Sequence, residues 1–276
     1  MSDTSDYQAR DVASGSRRWA RVQTERQNWS ETFRTEIERA GQPGWQTFSS
    51  YWWQDYYREM TATVKKLMSG HDMPSVLEVG SGSGKASLLL PNQWPKTLLD
   101  ISDVALSYAN VLAERLHVDA PQRVEGDAFR APFRDSSFSL VWNIGMVEHY
   151  EEADVCALLA EMLRLCSPNG IVAFGVPTAW SGAVLKARVI SWAPLRWIPG
   201  YKVDTEIWYT TGRLVTLLRR TAQQSGVGLQ FLRVSKIGSP LPMEAPATLV
   251  RVSQPLLDRM LKPLKFLSLI SVRVVK

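Results

Sequence analysis

The sequence predicts an α/β fold: a doubly wound, mostly parallel sheet of seven strands with helices on both faces. From residue 76 onward, short apolar runs alternate with helical stretches, the pattern of a parallel sheet covered on both sides. A glycine-rich turn stands where the first run ends and a helix begins. The 276 residues are 45% hydrophobic and 21% charged, which allows a large core and excludes disordered and collagen-like chains.

Two helices are predicted before the sheet. Residues 16–40 have the pattern of a polar helix, and a Gly/Pro break follows at 41–44. Residues 45–69 form a second predicted helix, rich in aromatic residues, with apolar positions at helical spacing. Core packing is the favoured interpretation of that stripe, and a lid over a ligand is the alternative. We therefore expect an N-terminal helical cap over residues 1–73 and the main domain over 74–276.

The main domain alternates strands and helices in a regular order. The predicted strands are 75–79, 97–100, a short run before Gly126, 138–142, 170–174, 228–237 and 267–275, and the predicted helices are 84–90, 103–116, 151–166 and 210–225. Two insertions, at about 177–208 and 238–265, interrupt this order and are expected to be helical caps.

The chain has two cysteines, Cys156 and Cys166, and both fall in one predicted helix. They cannot form a disulfide framework, and no cluster of Cys and His has the spacing of metal ligands. The N-terminus is polar and acidic, unlike a signal peptide, and no apolar stretch reaches the length of a membrane span. These features predict a cytoplasmic protein without a metal site.

Charge is unevenly distributed along the chain. Residues 1–177 hold 17 Lys and Arg against 23 Asp and Glu, whereas residues 178–276 hold 15 against 4. A solvated basic surface is the favoured interpretation, and contact with phosphate groups or a membrane leaflet is the alternative. The apolar and basic segments 189–199 and 256–270 would then lie at the inner membrane face, although packing on the sheet is favoured.

The strongest motif is the turn Glu78-Val79-Gly80-Ser81-Gly82-Ser83-Gly84-Lys85, at the end of the first predicted strand. Its glycine spacing differs from the dinucleotide fingerprint, which disfavours a nicotinamide oxidoreductase, and Ala86 after Lys85 excludes a P-loop. Asp100 ends the second strand, 22 residues after Glu78, where a carboxylate can accept hydrogen bonds from both hydroxyls of a ribose.

Further motifs follow in a specific order. Gly126-Asp127-Ala128 comes after the third strand, Pro132-Phe133 precedes the fourth, and Val147-Glu148-His149 follows it. In this order the motifs of residues 74–177 resemble the class I S-adenosylmethionine-dependent methyltransferases, nearest to the branch of ubiquinone- and menaquinone-biosynthesis-like and other small-molecule enzymes. The resemblance implies a Rossmann-like methyltransferase fold, S-adenosyl-L-methionine as cofactor and S-adenosyl-L-homocysteine (SAH) as product.

The resemblance also implies a set of cofactor contacts. The glycine turn would cradle the methionine and ribose portions, Asp100 would bind the ribose hydroxyls, and Asp127 with Ala128 would bracket the adenine. The full set of cofactor-binding residues that it implies is Glu78, Gly80, Ser81, Gly82, Gly84, Asp100, Ile101, Asp127, Ala128, Asn143 and Ile144.

Methyl transfer requires a nucleophile held in line with the bond between methyl and sulfur. A hydroxyl or an acidic carbon also needs a base, whereas an amine needs only a free lone pair. His149 is the preferred candidate for the base because imidazole titrates near neutrality. The alternative is that Glu148 and His149 only position the start of a helix.

The predicted function is therefore methyl transfer from S-adenosylmethionine to a small or lipid-like biosynthetic acceptor, with O-methylation favoured over C- or N-methylation. The alternatives are a methyltransferase at the membrane surface, acting on a prenylated or glycolipid intermediate, and a non-catalytic scaffold that keeps the cofactor fold. Residues 143–146 supply neither the carboxylates of metal-dependent enzymes nor the motif of base-methylating enzymes, so neither a metal nor a nucleic-acid substrate is expected.

Overall fold

A computed structural model of the protein describes residues 3–195, 197 and 206–276. Seven strands form one sheet, and their bounds follow the predicted alternation: β1 (Val76–Val79), β2 (Lys96–Asp100), β3 (Gln122–Glu125), β4 (Phe138–Ile144), β5 (Cys166–Pro177), β6 (Gly228–Ile237) and β7 (Leu267–Val275). The helices are α1 (Asp3–Ala40), α2 (Tyr51–Leu67), α3 (Lys85–Leu88), α4 (Asp103–Leu116), α5 (Glu152–Leu165), α6 (Gly182–Ser191), α7 (Thr211–Gln224) and α8 (Ala247–Met260).

The strand order is β3-β2-β1-β4-β5-β7-β6. The first five strands in this order pair in parallel, and β7 runs antiparallel to both β5 and β6. This confirms the predicted doubly wound, mostly parallel seven-stranded sheet. The chain leaves β1 in one direction and later returns on its other side as β4, so a crevice opens at the carboxyl ends of these two strands.

Alternate residues of the inner strands β1, β4, β5 and β7 enter different apolar clusters, so this part of the sheet is buried on both faces. In β4, for example, Val141 packs with α5 and α7 on one face, whereas Trp142 packs with α2, α6 and α8 on the other. The buried stripe of α2, which contains Trp52, Tyr56 and Met60, belongs to the second face. The stripe therefore packs in the core, as the sequence favoured, and three of its residues, Trp53, Tyr56 and Tyr57, also line a cavity.

The N-terminal helices differ from their predicted bounds. α1 begins at Asp3 instead of residue 16, because its first turns have no apolar periodicity that would reveal them. α2 begins only at Tyr51, after Ser50 in extended conformation, so Trp45 lies in the connecting loop. There its ring meets the guanidinium of Arg115, 5.8 Å from the ring centroid.

The two cysteines do not share a helix, which corrects that expectation. Cys156 lies in α5, whereas Cys166 is the first residue of β5 and pairs with Phe138 of β4. The helix ends at Leu165 because the next residue, Cys166, already takes an extended conformation with a φ of −73° and a ψ of 132°.

The two predicted insertions both contain helices. The first holds α6, although its residues 196 and 198–205 lie outside the described part, as does part of the segment 189–199. The second holds α8 and a short 3₁₀ turn, Lys262–Leu264. Among the described residues, the model has no helix whose length and hydropathy would suit a membrane crossing.

Candidate active site

A cavity of about 810 Å³ opens at the carboxyl ends of the parallel strands. One side, the strand-end wall, consists of Gly80–Ser83, Asp100–Ser102 and Gly126–Phe129, which follow β1, β2 and β3. The other side is the helical wall, which comes from α1, α2, the segment after β4 and two distant residues: Val22, Glu25, Trp29, Phe33, Trp53, Tyr56, Tyr57, Gly145, Met146, Glu148–Tyr150, Glu206 and Phe266. The volume of the cavity is typical of small-molecule sites.

The strand-end wall meets Met146 of the helical wall at Gly80, where the absence of a side chain allows the close contact. This residue has a φ of +58°, and a Cβ added to it would lie 2.5 Å from Sδ of Met146. Any larger residue would therefore close the space between the turn and the helical wall. Ser81, which is 8% exposed, lines the same wall, and its Oγ has no hydrogen-bond partner among the described residues.

Asp100 is held rigidly in this wall. The N–H of Gly82 donates to its Oδ2 at 2.7 Å, and the N–H of Ser102 donates to its Oδ1 at 2.8 Å. Burial raises the pKa of Asp100, and these backbone hydrogen bonds oppose that rise. Each carboxylate oxygen can accept a second hydrogen bond, so the group remains able to bind a ligand.

The end of β3 adds a second fixed carboxylate. The N–H of Phe129 donates to Oδ1 of Asp127 at 2.9 Å, so the chain turns around this side chain. Ala128 lies beside it in the wall, and Ile101 follows Asp100. Eight of the predicted cofactor-binding residues line the cavity together: Gly80, Ser81, Gly82, Asp100, Ile101, Asp127, Ala128 and Ile144.

The remaining three, Glu78, Gly84 and Asn143, do not line the cavity. Glu78 accepts a hydrogen bond from the N–H of Ser87, and its burial raises its pKa to about 7. Nδ2 of Asn143 donates to the carbonyl of Val79 at 2.7 Å, which ties β4 to the start of the turn. Gly84 packs against a neighbouring side chain under the turn. These residues therefore lie behind the wall and support it.

Glu148 and His149 lie on a 3₁₀ turn, Val147–His149, that follows β4. Burial lowers the pKa of His149 below 6.5, and the carboxylates of Glu25 and Glu206 oppose that change. The imidazole is therefore neutral at pH 7. The ring of Trp29 meets it edge-on, with centroids 6.5 Å apart.

Glu148 is 5% exposed, and its Oε2 has no hydrogen-bond partner among the described residues. Burial, with a smaller contribution from Glu206, raises the pKa of Glu148 to about 8. Its backbone carbonyl accepts a hydrogen bond from the N–H of Ile207 at 2.6 Å, which brings Glu206 to the cavity. Glu148 is thus a buried carboxyl group with a vacant hydrogen-bonding position at the cavity.

Sequence reasoning missed most of the helical wall. Val22, Trp29 and Phe33 of α1 contribute to the cavity at positions that share one helix face, and this apolar spacing was the signal that could have indicated it. Glu25 and Glu206 carried no local signal, because a lone carboxylate in a polar helix or in an insertion belongs to no motif.

A family model described as "Methyltransferase domain" matches residues 77–174, which span β1 to β5 and contain the strand-end wall. This region is a class I S-adenosylmethionine-dependent methyltransferase domain. The match does not specify the branch to which it belongs.

Solved structures share the fold of the methyltransferase domain and its additions. Magnesium protoporphyrin IX methyltransferase from Synechocystis PCC 6803 with bound SAH is 13% identical, with a TM-score of 0.58, over 92% of this chain and 99% of that one. The [4+2]-cyclase SpnF is 17% identical, with a TM-score of 0.58, over 91% and 96%. A possible histamine N-methyltransferase from Thermotoga maritima is 15% identical, with a TM-score of 0.56, over 89% and 98%. No curated protein matches the sequence.

The strand-end wall of the methyltransferase domain fits an adenosyl cofactor. The Oγ of buried Ser81 offers a polar contact that no described residue uses, and the 810 Å³ cavity in front of this wall supplies the space. Asp100 and Asp127 are two anchored hydrogen-bond acceptors on the same wall. Among the described residues, no group of three or more His, Cys, Asp or Glu could hold a metal ion.

Proposed function

We propose that this protein transfers a methyl group from S-adenosylmethionine to a small or lipid-like acceptor in biosynthesis, with a hydroxyl oxygen as the first candidate for the methylated atom. The observation that carries this proposal is the shape of the cavity, which extends from the strand-end wall to His149 and the aromatic side chains of the helical wall. The volume suffices for a cofactor and a second molecule side by side.

The strand-end wall would hold the cofactor. Asp100 would accept the ribose hydroxyls while Gly82 and Ser102 keep its carboxylate in place. Asp127 and Ala128 would bracket the adenine, and the turn around Gly80 would lie against the methionine portion. We further propose that Glu78, Gly84 and Asn143 act from behind this wall by fixing its shape.

The bound cofactor supplies a methyl group already activated on a sulfonium, so the protein needs mainly to orient the acceptor and exclude water. A half-buried, neutral His149 can take a proton from an acceptor hydroxyl at a ring nitrogen. Trp53, Tyr56 and Phe266 form an apolar surface for the body of the acceptor. Residues 1–73 would then act as a cap over residues 74–276.

Calorimetry with SAH, followed by turnover of S-adenosylmethionine with a panel of hydroxyl and amine acceptors, tests the proposal. We expect SAH binding by the wild type and by His149→Ala, with turnover of a hydroxyl acceptor lowered about 100-fold or more in the variant. The control is His71→Ala, since His71 lies outside the cavity. Unchanged turnover in His149→Ala would refute its role as base, and the absence of SAH binding would refute the function.

A second candidate is the same reaction at the surface of an anionic membrane. α8 exposes apolar side chains with basic residues between them: Leu249, Val252, Leu256 and Met260 are 50%, 82%, 61% and 67% exposed, and Arg251 and Arg259 share the helix. Flotation with vesicles of anionic phospholipid tests this candidate. Flotation of the protein with the vesicles at low salt, abolished by high salt, would support this candidate. A protein that does not float with the vesicles at low salt would refute it.

A non-catalytic scaffold is the remaining alternative, and the likeness to a [4+2]-cyclase illustrates that the fold is compatible with other chemistry. The polar contacts on the strand-end wall argue against a plain scaffold, since such a protein has no need for an anchored Asp100 facing a cavity. Binding of SAH without turnover of any acceptor would favour it.

A further inference from the structure

Acidic groups dominate the cavity. Of the described residues, five with carboxyl groups line it, Glu25, Asp100, Asp127, Glu148 and Glu206, together with one arginine, Arg26. That arginine is engaged elsewhere, because its guanidinium lies 3.0 Å from Oε1 of Glu125. If Asp100 and Asp127 serve the cofactor, as the proposed function assumes, three carboxyl groups remain on the helical wall.

Glu148 is the one of these three that points to a ligand. It is 95% buried, it lines the cavity, and its Oε2 has no partner among the described residues. A buried carboxyl oxygen without a hydrogen bond costs about 1–3 kcal/mol of desolvation, and a bound donor would remove that cost. The side chain is therefore placed to receive an N–H or O–H group from a molecule in the cavity.

We propose that the acceptor molecule carries a basic amine, bound as an ammonium group by the carboxylate of Glu148, with Glu25 and Glu206 adding negative potential to the cavity. This inference rests on the proposed function, since it assigns the space beyond the strand-end wall to the acceptor. The amine anchors the molecule, and His149 on the same turn faces the group that reacts.

The neighbouring side chains indicate what the amine is attached to. Trp53, Tyr56, Tyr57 and Phe266 form one aromatic cluster, with ring centroids of neighbouring pairs 5.0 to 6.4 Å apart, and all four line the cavity. Such a surface favours an apolar or ring-containing body. The substrate class is thus a small amine with an aromatic or other apolar body.

The charge pattern also separates this class from its competitors. An anionic acceptor would meet three carboxyl groups on the helical wall and would be repelled. A neutral alcohol could bond to Glu148 but would gain nothing from Glu25 and Glu206. Arg21, which acts on His149 through its charge, is the cation that lessens this negative potential.

Binding of an ammonium group changes the protonation of Glu148. Because burial raises its pKa to about 8, the carboxyl group is mostly protonated at pH 7 in the empty cavity. An adjacent ammonium favours the ionised form, so the proton leaves to solvent as the amine binds. The release approaches one proton per amine at pH 7, whereas a neutral alcohol causes none.

Calorimetry on the SAH-saturated protein tests this with three probes that share one ring: tryptamine, tryptophol and indole-3-acetate. Titrations at pH 7 are made in phosphate and in Tris, because the two buffers differ in ionisation enthalpy. The difference between the two observed binding enthalpies gives the number of protons released. We expect tryptamine to bind at least 10-fold more tightly than the other two and to release close to one proton. Glu148→Gln should weaken tryptamine at least 10-fold and abolish the release, with SAH affinity unchanged.

Glu151→Gln is the matched control, because Glu151 is an exposed neighbour whose side chain makes no capping bond to α5. It should bind tryptamine as the wild type does. Equal affinity for tryptophol and tryptamine, no measurable binding of tryptamine, or proton release that persists in Glu148→Gln would each overturn the proposal. Failure of SAH itself to bind would instead overturn the proposed function, so the two failures are distinguishable.

Discussion

The two walls of the cavity are built in opposite ways. The strand-end wall consists of consecutive residues after three strands, and backbone N–H groups hold its carboxylates at 2.7 to 2.9 Å. The helical wall combines residues from sites as distant as Glu25 and Phe266, and Glu148, its most buried carboxyl group, has an unpartnered oxygen. The carboxylates of the first wall are held by the backbone before any ligand arrives, whereas Glu148 on the second wall has an oxygen that no described residue bonds. If the first wall holds the cofactor and the second the acceptor, as we propose, a rigid site that positions one molecule lies beside a site that selects the other.

The largest expected effect concerns the rigidity of the strand-end wall. Gly84 has a φ of +62°, and a Cβ there would collide with Cδ1 of Leu98. Gly84→Ala should therefore lower the free energy of unfolding by about 2–4 kcal/mol, the sum of backbone strain and overpacking. Gly226→Ala is the matched control, since its φ is +65° with no atom within 4 Å of the added Cβ. Urea unfolding should show that Gly226→Ala lowers the free energy of unfolding by only about 1 kcal/mol. An equal loss in the two variants would contradict a close-packed turn at Gly84.

The next effect tests the ligand side of the same wall. Asp100→Ala should weaken SAH binding by about 1–3 kcal/mol, because the ribose loses an acceptor and the N–H groups of Gly82 and Ser102 lose theirs. Asp103→Ala removes a nearby carboxylate whose side chain is 68% exposed and should leave the affinity unchanged. Calorimetry measures both variants, and an unaltered affinity in Asp100→Ala would argue against its contact with the cofactor.

The smallest effect, counted per pH unit, comes from the helical wall. The folded-state pKa of Glu148 is raised to about 8, so its contribution to stability is complete below pH 4.5 and is lost as pH rises toward 8. Relative to Glu148→Gln, the wild type should lose at most about 1.4 kcal/mol per pH unit within that window. Urea unfolding at pH 5, 6 and 7 measures the difference in free energy of unfolding between the two proteins. A difference that does not change with pH would mean that Glu148 is not buried as described.

The sequence predicted the fold and the strand-end wall because both depend on local patterns. The apolar alternation located all seven strands. The turn that starts at Gly80 falls at the carboxyl end of a strand, where ligands bind in open parallel sheets. Residues adjacent in sequence, such as Asp127 and Ala128, were predicted together because they lie together on one wall.

The helical wall could not be predicted in the same way. Glu25, Glu148 and Glu206 come from three separate segments, and only the packing of α1 and the segment at 206 against the end of β4 brings them together. The start of α1 was missed for a related reason, since a polar helix has no periodic apolar signal. The sequence suggested for Glu148 only a role in positioning the start of a helix. Its unpartnered oxygen could not be predicted, because it results from the packing of the folded chain.

The two halves of α1 are attached by different interactions. Toward its C-terminal end, Ser30 shares a buried hydrogen bond of 2.7 Å with Ser102, and Phe33 packs on Tyr108. Its preceding turns are joined to the domain by ion pairs, Arg18 with Asp154 and Arg26 with Glu125. Dissolved electrolyte weakens contacts of the second kind far more than those of the first. Ionic strength should therefore loosen the turns of α1 that carry Glu25 more than those beside Ser102, and the Michaelis constants of the proposed acceptor and cofactor should respond to salt unequally.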